Sequence, residues 1–257
     1  MKKLLFILIV FLVSCKSTYL VHDSEPIWNC DFTSEDSKDY WIVSNNVFYN
    51  DNAVLLNRDM VRQDMTGLTL TCIDSVGVAT TWQRTDTFLF VGANMQTWNK
   101  EFDGFTFKAP CIIEIYCNIP KSWAAFWSLC VHREKIKEGR FHSVPELDVV
   151  ENNGNKVDVA FHWGYDTIKY ATDSKVKKIH TPDGKYHKYA IKLLPDMYEY
   201  YFDRKLVYRA KNKPKYNNEF IDMDATRYLI LTNAGDKNRF LFDKTELKIK
   251  WIKVYEI

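Results

Sequence analysis

Three carboxylates crowd six positions of one apolar run: Glu146, Asp148 and Glu151 in "VPELDVVENNGN" (144–155). An ionised carboxylate beside a protonated carboxyl supplies a nucleophile and a general acid, the pairing that cleaves glycosidic bonds. Cleavage with retention of configuration needs the two groups roughly 5 to 5.5 Å apart, a spacing that one strand face provides. A third acid between them would tune the proton affinity of both. The same trio would also make a hydrated acidic patch on a sheet edge, or a cation site.

Which of these applies depends on the backbone beneath. A helix, at about 100° per residue, would scatter the three acids around its circumference. Val149-Val150 and the Asn-Asn-Gly that follows also disfavour a helix. In a flat strand Glu146 and Asp148 share a face, while Glu151 falls on the other side with Leu147 and Val149. A β-bulge at Val149-Val150 adds one residue and returns Glu151 to the first face, with Leu147 and one valine packed beneath.

The surrounding chain predicts the sheet that such a strand needs. Short alternating runs at 67–73, 77–83, 104–109, 111–117, 156–163, 186–194, 197–203, 227–233 and 246–257 read as strands. Turn signals at Asn153-Gly154, Pro182-Asp183-Gly184 and Pro195-Asp196 separate them. No apolar period of 3.6 holds for more than two turns, and there is no repeat or low-complexity linker. The expected architecture is a single all-β domain, an antiparallel sandwich or jelly roll. A net charge of +2 over 257 residues gives no footprint for nucleic acid. Lys175, Lys177 and Lys178 fit a solvated strand edge. Aromatic residues reach 15%, including eight Trp and fifteen Tyr, which suits either a β-rich core or surfaces for sugar rings.

The N-terminus reads as an address. Lys2 and Lys3 precede an apolar stretch, Leu4 to Val13, that is too short to span a bilayer and matches a signal peptide. Leu12-Val13-Ser14-Cys15 has the form of a lipobox, which makes Cys15 the expected lipidation site of an exported bacterial lipoprotein. On this reading residues 1–15 are the signal peptide, 16–27 a tether and 28–257 one domain. The domain is expected to be monomeric and held at the cell envelope by a lipid anchor, on the periplasmic or surface face. Five cysteines remain, Cys30, Cys72, Cys111, Cys117 and Cys130, an odd number that leaves at least one thiol outside any internal pairing. Cys111 and Cys117 lie at the ends of one predicted strand, roughly 20 Å apart, and cannot bridge each other. No Cys/His spacing suggests a metal.

"ELDVVE" resembles the bulged Glu-x-Asp-x-x-Glu signature of glycoside hydrolase family 16, the laminarinase, lichenase, agarase and carrageenase group. The neighbourhood is similar too. "IEIYCNIPKSWAAFWSL" places Trp123, Phe126 and Trp127 in register with the family's Trp-Pro-Ala-Phe-Trp run, and "AFHWGYD" offers His162 and Gly164 for its His-x-Gly element. "YHKYAIKLLPDMYEYYFDRKLVYR", "RYLILTNAG", "IKWIKVYE" and the opening "WNCDFTSEDSKDYWIV" extend the likeness over residues 28–257. The chain departs from the pattern at Phe141, His142 and Pro145 before the motif, at Ala109-Pro110, at Trp123-Ala124, at Asp203-Arg204-Lys205 and at Gly235-Asp236-Lys237. These departures fall on loops that would face substrate.

The resemblance implies a jelly roll of two curved antiparallel sheets with a concave cleft for a β-linked polysaccharide. By the same likeness Glu146 is the nucleophile, Asp148 orients it, and Glu151 is the acid and base. His162 approaches the acids, Trp123 and Trp127 stack on sugar rings, and Trp98, Trp163 and Tyr165 serve more distant subsites. Arg133, Arg140 and His142 would meet a sulfated or acidic galactan, or simply decorate a solvated loop. No cofactor is implied for catalysis; a structural calcium on the convex side is a family trait for which the sequence shows no ligand cluster. The expected activity is endo-acting, retaining cleavage of β-1,3- or β-1,4-linked glucan or galactan. A non-catalytic glycan-binding lipoprotein and a transglycosylase remain alternatives on the same fold.

Overall fold

The structure, a computed structural model, describes residues 20, 25–49, 53–131, 146–152, 154, 156–163, 173–211, 225–235 and 243–257. The signal peptide, Cys15, most of the tether, and Arg133, Arg140, Phe141, His142, Pro145, Gly164 and Tyr165 lie outside the described residues. The strands are β1 (Trp28–Asp31), β2 (Ile42–Val43), β3 (Val47–Tyr49), β4 (Val54–Leu56), β5 (Val61–Asp64), β6 (Gly67–Thr80), β7 (Thr85–Gln96), β8 (Trp98–Asn99), β9 (Phe102–Asp103) and β10 (Thr106–Phe107). They continue as β11 (Cys111–Asn118), β12 (Trp123–Cys130), β13 (Glu146–Asn152), β14 (Val157–Trp163), β15 (Asp173–His180), β16 (His187–Leu194), β17 (Met197–Phe202), β18 (Lys205–Lys211), β19 (Arg227–Ala234) and β20 (Lys244–Glu256). Among the described residues the helical content is two 3-10 turns, Glu35–Tyr40 and Arg58–Met60, and no helix is long and apolar enough to cross a membrane.

Two antiparallel sheets form a jelly-roll sandwich. The first runs β18-β17-β16-β11-β20-β6-β7, with β1 against β20. The second runs β15-β14-β13-β12-β19. β7 joins the two: its first part pairs with β6, while Ala93–Gln96 pair with β19. Alternation explains the layers. Ile113, Ile115, Ile191, Ile249, Ile252 and Val254 of the first sheet meet Phe126, Leu147, Val159, Phe161, Leu229 and Leu231 of the second in one buried cluster. Phe161 and Tyr198 stack across the gap with centroids 4.4 Å apart. Full burial of each such aliphatic side chain contributes about 1.5 to 3 kcal/mol.

The structure departs from the sequence reading in places. Segments 67–73 and 77–83 are one strand, β6, with a register shift between Asp74 and Gly77 in place of a turn; the hairpin turn falls at 81–84. Gly77 lets the Phe88 ring lie over the strand, since a Cβ there would come within 2.6 Å of the ring tip and push it aside. Segment 104–109 keeps only the two-residue β10. The turns at Gly154 and Gly184 do use positive φ, and in the Asp203-Arg204 turn both residues take it without a glycine. The five cysteines are all buried and none forms a disulfide.

Candidate active site

β13 is bulged where the sequence required it. Against β12, Ala125 faces Glu151, Phe126 faces Val150 and Trp127 faces Asp148, so Val149 has no counterpart. Against β14, Asp148 faces Ala160 and Glu151 faces Asp158, with the register shifting between them. Glu146, Asp148 and Glu151 therefore share the outer face of the second sheet, opposite the core. One detail corrects the sequence reading: both valines, not one, join Leu147 in the core. The two residues of the bulge oppose a single partner residue, so both side chains turn toward the same apolar layer.

His162 of β14 stands across from Glu146. Its Nε2 lies 2.9 Å from Asp148 Oδ2 and 3.8 Å from Glu146 Oε1. Asp148 is buried, whereas Glu146 and Glu151 are partly exposed. Burial pushes the Asp148 carboxyl above its ordinary range, against the pull of the His162 hydrogen bond and charge. For His162, burial opposes the charged form, but the hydrogen bond and charge of Asp148, with Glu146 and Glu151 behind them, raise its proton affinity above that of an ordinary histidine. Glu146, Asp148 and His162 bring ligand atoms within 4.8 Å of one another, close enough to hold a cation. Among the described residues no other group of three acidic, histidine or cysteine side chains does so.

The aromatics flank the acids. Trp123 opens β12 and donates its indole N–H to Glu151 Oε1 at 2.7 Å. Trp127, two residues along the same face from Ala125, donates to Thr232 Oγ1 at 3.1 Å. Thr232 also accepts from Asn94 Nδ2 at 2.9 Å, and Asn94 Oδ1 accepts from Ser44 at 2.9 Å, a chain that fixes the Trp127 ring. Trp98 packs beside Trp127 in a small cluster with Leu129, Tyr228 and Ile230. Thus Trp123, Trp127, Trp98 and His162 gather on the acid-bearing side. The strand carrying Trp163 ends there, but its side chain lies outside the described residues.

Three features had no signature in the sequence. Tyr49 of β3 sets its ring 5.7 Å from Trp123, and burial together with the charges of Glu146, Glu151 and Asp148 pushes its phenol well above the usual range. Asp158, a fourth acid and buried like Asp148, faces Glu151 across the β13–β14 pairing. Asn152 inserts its Nδ2 among the carbonyls of Pro120, Ser122 and Gly154, tying the end of β13 to the start of β12. None of them sits in a short motif. Tyr49 arrives from nearly 100 residues upstream, and only the strand alternation of 156–163 put Asp158 on the His162 face.

No protein-family model and no curated protein matches this sequence. Many solved structures share its fold. The endo-β-1,3-glucanase from Pyrococcus furiosus superposes with a TM-score of 0.69 at 19% identity, over 93% of this chain and 97% of its own. SCLam, a non-specific endo-β-1,3(4)-glucanase from family GH16, gives a TM-score of 0.72 at 15% identity, over 94% of this chain and 98% of its own. A structure described with endo-acting O-glycanases that gut microbiota express to initiate mucin breakdown gives 0.70 at 18%, over 90% of both chains. At these identities the likeness is one of fold, and the fold is the jelly roll that those glucanases use.

Proposed function

We propose that this chain is a family 16 glycoside hydrolase: an endo-acting, retaining enzyme for β-1,3- or β-1,4-linked glucan or galactan, exported and lipidated on Cys15. One observation carries the reading. The bulge at Val149-Val150 turns Glu146, Asp148 and Glu151 onto one face, between Trp123, Trp127 and His162.

In the first displacement the Glu146 carboxylate attacks the anomeric carbon, and the glycosidic oxygen leaves with the proton of Glu151. In the second, Glu151 takes a proton from water, the water oxygen attacks the anomeric carbon, and the Glu146 ester bond breaks. The buried Asp148, paired with His162, stands between the two and fixes the orientation of Glu146. Because the neighbouring acids raise its proton affinity above that of an ordinary histidine, His162 favours its charged form, which stabilises an ionised nucleophile 3.8 Å away. Trp127, held by Thr232, offers an indole face for the apolar side of a sugar ring.

The test is a panel of laminarin, mixed-linkage glucan, agarose, porphyran, carrageenan and mucin glycans, scored for new reducing ends. The wild type should depolymerise at least one and Glu146→Gln none. Binding without cleavage by the wild type would replace this reading with a glycan-binding protein.

A further inference from the structure

We propose that Trp123 and Tyr49 are positioning residues that hold the Glu151 carboxyl toward the leaving oxygen, an inference that rests on Glu151 being the acid. The indole N–H of Trp123 is 2.7 Å from Glu151 Oε1. That donor occupies one carboxyl oxygen, so the transferable proton sits on Oε2. When the proton departs, the charge left on the carboxylate strengthens the same hydrogen bond, which favours the transition state over the ground state.

The indole is itself braced. Tyr49 packs on it at 5.7 Å and 34°, and Phe90, Ala53 and Val54 form the apolar floor beneath both. Its backbone is pinned from both sides. The Ser122 hydroxyl donates to Asn233 Oδ1 at 3.1 Å and lies 2.8 Å from the Thr245 hydroxyl, from which it can accept, while Asn152, next to Glu151 in sequence, donates to the Ser122 carbonyl at 2.9 Å. Acid and holder are thus tied to each other through backbone as well as side chain. A residue that served only as a sugar platform would not need its N–H spent on the acid.

The test separates protonation of the leaving group from sugar binding. kcat/KM is measured on a dinitrophenyl β-glycoside, whose leaving group departs unprotonated, and on the matching unactivated oligosaccharide. Glu151→Gln sets the reference and should lose far more on the unactivated substrate. Trp123→Phe keeps a ring and removes the donor. It should lose about tenfold on the unactivated substrate, the scale of one hydrogen bond to a charged group, and less than about threefold on the activated one. Tyr49→Leu should show the same split, and Tyr49→Phe should restore most of it. Equal losses on both substrates in Trp123→Phe would overturn the proposal, as would a Tyr49→Phe that falls as far as Tyr49→Leu. If Glu151→Gln itself showed no split, the assignment of the acid would fail instead.

Discussion

Replacing His162 with alanine removes the imidazole 2.9 Å from Asp148 and leaves a carboxyl whose side chain is 5% exposed without that partner. Breaking a buried pair by deleting one member costs about 3 to 5 kcal/mol. His162 is itself 25% exposed, so water can enter the gap and the lower figure applies. About 3 kcal/mol lowers Tm by roughly 6 to 12 °C in a domain of this size. The pH dependence follows from both groups. The His162 proton affinity is raised above 6.5, so its stabilisation is complete below about pH 6.5 and fades as pH climbs through the folded value. Asp148 is raised above its ordinary range, so as pH falls through its folded value it takes a proton in the fold and no longer needs the imidazolium. Calorimetric scans should therefore show the largest gap between wild type and His162→Ala near pH 6 to 7, narrowing on either side. Asp148→Asn in the His162→Ala background should recover part of the loss, because it removes the orphaned charge. A variant that melts with the wild type at every pH, or a double variant less stable than His162→Ala alone, would refute the reasoning.

Glu146→Gln and Glu151→Gln should each lower kcat/KM on a polysaccharide on the order of a thousandfold while Tm stays near that of the wild type; a turnover near the wild-type rate from either would displace its assigned role. Val149→Ala, which keeps the residue count of β13, should cost about 2 kcal/mol in denaturant unfolding yet retain activity. Deletion of Val149 leaves Glu-Leu-Asp-Val-Glu, in which plain alternation keeps all three acids on one face without a bulge, so measurable activity should remain; a folded but inactive deletion variant would show that the bulge does more than set the acid's direction. Radioactive fatty acid should label the wild type and not Cys15→Ser, and equal labelling of both would exclude the lipid anchor.

Much of the site was legible because period-two alternation leaves few choices. Glu146 and Asp148 share a face by spacing alone, and the misfit of Glu151 announced the bulge before any neighbour was known. The long strands β11, β14, β16, β17, β19 and β20 carry enough alternating residues to be read directly. β7 escaped because it serves two sheets, so its pattern of burial changes along its length. β6 looked like two strands because Gly77 reads as a turn, when its lack of a side chain is what lets Phe88 approach. Tyr49 and the Ser44–Asn94–Thr232 chain could not be read locally, since their contacts join segments far apart in sequence. The indole–carboxylate bond was hidden in the same way: the sequence placed Trp123 near the acids, but only the β12–β13 register directs its N–H to Glu151.

With Glu146 as nucleophile and Glu151 as acid on one strand face, the proposed cleavage takes two displacements at the anomeric carbon. Proton NMR of the first sugar released from a β-linked oligosaccharide, recorded before mutarotation, tests this most directly. The anomeric signal should be β; an α signal would mean a single displacement by water and would contradict the roles given to both glutamates.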